Sequence, residues 1–83
     1  KQSYIAPEQF RGKAGLSSDI YSLGATAYFA LTGLDPEPLT ELHAAQVVPI
    51  AASLDKLIAD CTRQSVSERI KTIDELIERV QKL

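Results

Sequence analysis

Apolar residues recur along this chain at helical intervals, not at alternating ones. The clearest run starts at Ser53: Leu54, Leu57, Ile58 and Cys61 share one face, with Asp55, Lys56 and Asp60 outside, predicting a helix that ends near Arg63. Ile73, Leu76, Ile77, Val80 and Leu83 line one face of a last helix. Thr72 is its expected cap and Glu75 is expected to reach back in a capping box. Between these two helices, residues 64–71 read as a polar connector. A third helix, residues 17–33, is different. Ile20, Leu23, Ala27 and Leu31 form one stripe, while Tyr21, Ala25, Tyr28 and Phe29 carry apolar surface to other faces, so protein is expected on several sides of it. Ser17 or Ser18 is expected to cap it, with Asp19 in the first turn, and Gly33 to end it in left-handed backbone.

Elsewhere the pattern is shorter. Pro7 can open a brief helix to Phe10, and Gly12 and Gly15 bracket a loop. Pro36 and Pro38 forbid helix after Gly33, a short helix is expected over 39–47 with Thr40 as its cap, and Pro49 ends it. Val47-Val48-Pro49-Ile50 is the one strand-like run, and its proline argues against pairing. The reading is therefore all-α: a small helical bundle occupying residues 1–83 as one unit.

Composition narrows the function classes. With 83 residues, 45% hydrophobic and 24% charged, the chain is long enough for one thin core and too apolar for disorder. Net charge is −2 with no basic block, so no nucleic-acid partner is expected. No apolar run reaches the roughly 18 residues of a membrane span, so no membrane partner is expected either. The single cysteine, Cys61, allows no internal disulfide, suits a reducing, cytoplasmic setting and reads as a core residue. The single histidine, His43, has no second His or Cys at metal-ligand spacing and reads as solvated. The chain opens on Lys1 and contains no methionine, so a piece of a longer polypeptide is expected.

Several short motifs stand in a fixed order. Tyr4-Ile5-Ala6-Pro7-Glu8-Gln9 resembles the Ala-Pro-Glu end of a protein-kinase activation segment. Ser18-Asp19-Ile20-Tyr21-Ser22-Leu23-Gly24 is similar to the opening of the central helix of the kinase C-terminal lobe. Leu31-Thr32-Gly33, with Pro36 or Pro38 beyond, resembles the Leu-Thr-Gly-x-x-Pro that follows it, and Leu57-Ile58, Cys61, Arg69 and Thr72 resemble the late marks of the lobe. The nearest likeness is to bacterial-type serine/threonine kinases. Two departures loosen the late match: Ser65-Val66 stands near the usual Asp-Pro, and Ile70 replaces the proline after the arginine.

This resemblance implies a buried ion pair between Glu8 and Arg69. It implies that Asp19 anchors a catalytic loop in a whole kinase; with that loop outside this chain, Asp19 is expected to do no more than cap its own helix. Tyr4 and Ile5 are implied to lie where a substrate peptide docks, and Ser3 or Tyr4 to be open to phosphorylation. The Gly-rich loop, Val-Ala-x-Lys, His-Arg-Asp and Asp-Phe-Gly motifs do not occur in the sequence. Phosphoryl transfer needs positioned phosphates, metal ligands and a base. The chain alone is therefore expected to have no catalytic, cofactor-binding or metal-binding residues and to be inactive, with ATP and Mg bound elsewhere in a parent kinase. The expected partners are the rest of a kinase domain or a second copy of the chain, and a protein substrate for the parent. The other reading is a stand-alone, kinase-derived helical interaction module without activity.

Overall fold

The computed structural model describes residues 2–83. Three α-helices, α1 (Leu16–Thr32), α2 (Ala52–Cys61) and α3 (Ile73–Gln81), are joined by loops that carry short 3-10 turns, and no strand occurs among the described residues. The bundle is all-α. Its smallest dimension is 16 Å, less than two helix diameters of about 10 Å each, so not every apolar face can be covered.

Local chemistry corrects several of the expected boundaries. The cap of α1 is neither serine: the helix has already begun at Leu16, with extended Gly15 at the cap position. The Ser18 hydroxyl accepts from the Gly15 N–H (3.2 Å) and donates to Glu8 (2.7 Å), so it is committed to a tertiary bond. Glycine is an acceptable cap where a serine is occupied elsewhere. Asp19 does not cap either. It is exposed in the first turn, a favourable place for a negative charge, but makes no side-chain cap bond. Gly33 does close the helix at φ 72°, its N–H donating to the Phe29 carbonyl (2.8 Å).

The helix expected over 39–47 shrinks to one turn, Ala44–Gln46. Thr40 donates its hydroxyl to the Pro38 carbonyl (3.0 Å) instead of capping, and Leu39 stands at φ 55°, which interrupts any helical approach. Thr72 caps α3 by accepting from the Glu75 N–H (3.1 Å), while the reciprocal half of the box is not formed among the described residues.

Two small cores result. Ile20 of α1 packs with Leu57 and Cys61 of α2, with Leu76 of α3, and with Ile70 in the loop before α3. Ala25 packs with Leu42, Ala44 and Ile58, flanked by Tyr4, Tyr28, Ile50 and Leu54. Thr62 fastens the loop of the second core to the end of α2: its hydroxyl donates to the Ile58 carbonyl (2.9 Å) and accepts from the Leu42 N–H (3.0 Å). Outside these cores, Leu16, Leu23, Phe29 and Leu31 on α1, and Ile73, Ile77, Val80 and Leu83 on and after α3, remain exposed. Of the predicted α3 stripe only Leu76 is buried.

Gly24 sets how closely α1 approaches α2. A Cβ there would lie 2.6 Å from Cys61 Cβ and 3.0 Å from Thr62 Cγ2. In an exposed helix interior Gly→Ala stabilises by about 0.5–1 kcal/mol; here the sign reverses, because atoms next to backbone must move. We predict that Gly24→Ala costs about 1–3 kcal/mol, read as a lower urea midpoint by circular dichroism. An unchanged or raised midpoint contradicts the close approach.

Candidate functional site

The site begins with the segment before α1. Pro7 opens a 3-10 turn, Pro7–Arg11, whose end is allowed by Gly12 at φ 73°. The Ala6 N–H donates to the Gln9 side chain (2.9 Å), fixing the entry to that turn. Glu8 is thereby pointed inward, and its burial is nearly complete.

Arg69 arrives from the other end of the chain, 61 residues away, and meets Glu8 as a two-pronged pair: Nη1 to Oε2 at 2.7 Å and Nη2 to Oε1 at 3.0 Å. The remaining donors are also used. Nε donates to the Arg63 carbonyl (2.9 Å), Nη1 also to the Ser17 carbonyl (3.0 Å), and Nη2 to the Gln64 carbonyl (3.4 Å). All five guanidinium N–H groups therefore have partners. The guanidinium also sits over the buried Tyr21 ring, 5.0 Å from its centroid. Burial alone would raise the Glu8 carboxyl, but donation from Arg69, Ser18 and the backbone outweighs it and holds the group at about 2, against 4.5 ordinarily.

Tyr4 and Ile5, half-buried, lie just before this pair. The Tyr4 carbonyl accepts from Ser22 of α1 (2.7 Å), and its phenol donates to Asp35 beyond the end of α1 (3.0 Å). Tyr4 is thus held along the length of the helix, and the segment before Glu8 has a fixed path. Ser3 is half-buried beside it. Asp19, on the same helix, is exposed, and its carboxylate makes no hydrogen bond among the described residues. So the structure brings Glu8 and Arg69 into contact and sets Tyr4 and Ile5 beside them, while Asp19 joins neither group.

Two groupings escape the sequence reading. Ser18 and Tyr21 belong to the Glu8–Arg69 cluster, three residues apart on one face of α1, and nothing in the local pattern of the sequence signalled it. His43, expected to be solvated, keeps 37% of its side chain exposed and also lies between two carboxylates, Glu41 and Asp55. Its signal was an acid two residues before it and another in the first turn of the next helix. Cys61 is buried, and burial pushes its thiol up to about 11, which keeps it an inert core residue. No group of three or more His, Cys, Asp or Glu is placed to hold a metal among the described residues. No helix among the described residues is long and apolar enough to cross a membrane.

No family model matches the chain. It is 37% identical over 89 aligned residues to serine/threonine-protein kinase PknA of Nostoc sp., covering 94% of this chain and 15% of that protein. It is 36% identical over 85 residues to serine/threonine-protein kinase C of Synechocystis sp., covering 94% of this chain and 16% of that protein. The chain thus spans about a sixth of the length of these curated relatives.

The depressed Glu8 carboxyl sets a pH window. Its stabilising contribution is fully present above pH 4.5 and is lost as pH falls towards about 2, a swing of about 3 kcal/mol. We predict acid unfolding within that window. Glu8→Gln strands the Arg69 charge and costs about 3–5 kcal/mol at neutral pH, after which stability changes far less with acid. Urea titrations at several pH values measure both effects.

Proposed function

We propose that this chain, homologous to one segment of the serine/threonine-protein kinases, serves as the substrate-docking and scaffold part of a kinase C-terminal lobe within a longer polypeptide. The observation that carries this reading is the Glu8–Arg69 pair: the two matching motifs at opposite ends of the chain meet in one buried, fully hydrogen-bonded contact. In the parent, the reaction is transfer of the ATP γ-phosphoryl group to a Ser or Thr hydroxyl of a protein substrate, with ATP and Mg held by parts outside this chain. Residues here position rather than react. The Glu8–Arg69 pair fixes the turn that follows Tyr4 and Ile5, and their clamped backbone offers the substrate peptide a rigid wall. Asp19, exposed at the first turn of α1, is free to accept backbone N–H groups from a catalytic loop. The chain alone is inactive, and the single buried thiol accords with a reducing, cytoplasmic setting.

The exposed apolar surface supports a covering partner. An apolar groove of about 250 Å³ runs among α1, α2 and α3, between Leu23, Leu57, Leu76 and Val80. The rest of the kinase domain is the occupant we assign to it. A second copy is the competing occupant if the chain is a stand-alone interaction module, a reading favoured only by its possessing two cores of its own.

The test uses the native polypeptide from the source cell. An intact mass well above 9.1 kDa, with transfer of labelled phosphate from ATP to a Ser/Thr protein, is the expected result. Arg69→Ala in that polypeptide should lower the transfer rate by about tenfold or more, since a misplaced docking wall costs orientation. A native mass near 9.1 kDa, or phosphate transfer by the 83-residue chain itself, overturns the proposal.

A further inference from the structure

We propose that His43, held between Glu41 and Asp55, is a proton-operated clasp that fixes residues 41–46 onto the first turn of α2 and so sets the shape of the cavity beside it. The geometry leaves little choice of protonation state. Nε2 lies 2.6 Å from Glu41 Oε2 and Nδ1 lies 3.1 Å from Asp55 Oδ2. A neutral imidazole has one N–H and satisfies one carboxylate; the imidazolium donates to both. Deprotonation therefore turns one of these contacts into a lone pair facing a carboxylate.

The clasp is wired into its surroundings. Asp55 also accepts the Ala45 N–H (2.9 Å), so one carboxylate holds the segment by side chain and backbone together. Glu41 also accepts from Arg63, whose guanidinium binds Asp60 (2.7 Å). Asp60 in turn takes Arg79 of α3 (3.0 Å) and Lys56 of α2 (3.5 Å). The charges near His43 are thus Glu41 from its own segment, Asp55 from α2, and Arg63 behind Glu41. Asp35 and Glu37 line the same cavity of about 510 Å³. Carboxylates dominate, so the surroundings favour the imidazolium. Donation to Asp55 first, then to Glu41, raises the His43 pKa above its ordinary 6.5, against an opposing effect of burial. The sign follows: the clasp is complete below pH 6.5 and is lost as pH rises through the raised value.

The regular structure of this segment is one turn, Ala44–Gln46. Its other anchors are the Arg63–Glu41 ion pair, the Ala45 N–H on Asp55, the buried side chains of Leu42 and Ala44, and the Leu42 N–H bonded to Thr62. Opening the clasp frees the wall of the cavity that Glu41 and His43 form. The device stands independently of the kinase reading, since it rests on these contacts alone.

The test uses the native polypeptide carrying this chain and two mass-spectrometric readouts. Slow deuterium exchange at the imidazole C2–H gives the His43 pKa, expected above 6.5. Glu41→Gln, which leaves His43 in place, should bring it down. Amide exchange of the peptide spanning residues 40–48, corrected for the intrinsic pH effect, should speed up about tenfold between about pH 6 and about pH 9. His43→Gln should abolish that pH dependence while peptides of α3 keep their protection. A His43 that titrates at 6.5 or below overturns the clasp. So does exchange of residues 40–48 whose pH dependence is the same in wild type and His43→Gln.

Discussion

Arg69 spends every donor it has on parts of the chain that would otherwise drift apart. Its guanidinium ties the turn at Glu8, the start of α1 at Ser17, and the loop at Arg63 and Gln64 that follows α2. A buried cation without partners is far costlier than any single contact it replaces. The three segments are therefore coupled: moving one strands a charge or a carbonyl in the others. Ser18 extends the same logic, since its hydroxyl completes Glu8 and thereby shifts the start of α1 back to Leu16.

This polar knot matters because the apolar cores are slight. Neither joins more than five buried residues, and the bundle is too thin to cover both sides of its helices. α3 is held mainly by Leu76 and by Arg79 on Asp60, and the rest of its apolar face is open. An isolated soluble domain rarely leaves that much apolar surface uncovered. The open faces of α1 and α3 therefore call for cover, and the chain spans only about a sixth of the length of the relatives it matches.

What could be read from the sequence divides along the range of the interactions. The three helices were legible because their apolar spacing is local, and so was the stop at Gly33. Boundaries failed where a side chain was claimed by another partner: Ser18 answers to Glu8 across the preceding loop, and Thr40 to the neighbouring Pro38 carbonyl. The Glu8–Arg69 partnership spans 61 residues, and no periodicity links them. Motif order alone suggested it. The position of His43 was missed for the same reason, because Asp55 reaches it only once α2 has docked. Gly24 lies in the middle of α1, and only the approach of Cys61 shows why a side chain is excluded there.

A double-mutant cycle on the ion pair tests the account most directly. Glu8→Ala, Arg69→Ala and the double variant are unfolded in urea, with a stabilising osmolyte present so that each retains a folded baseline. If the pair is the knot described, each single change costs nearly as much as both together, and the coupling energy is about 2–3 kcal/mol. Costs that simply add, with coupling below about 0.5 kcal/mol, would show that the two ends of the chain are held by something other than Glu8 and Arg69.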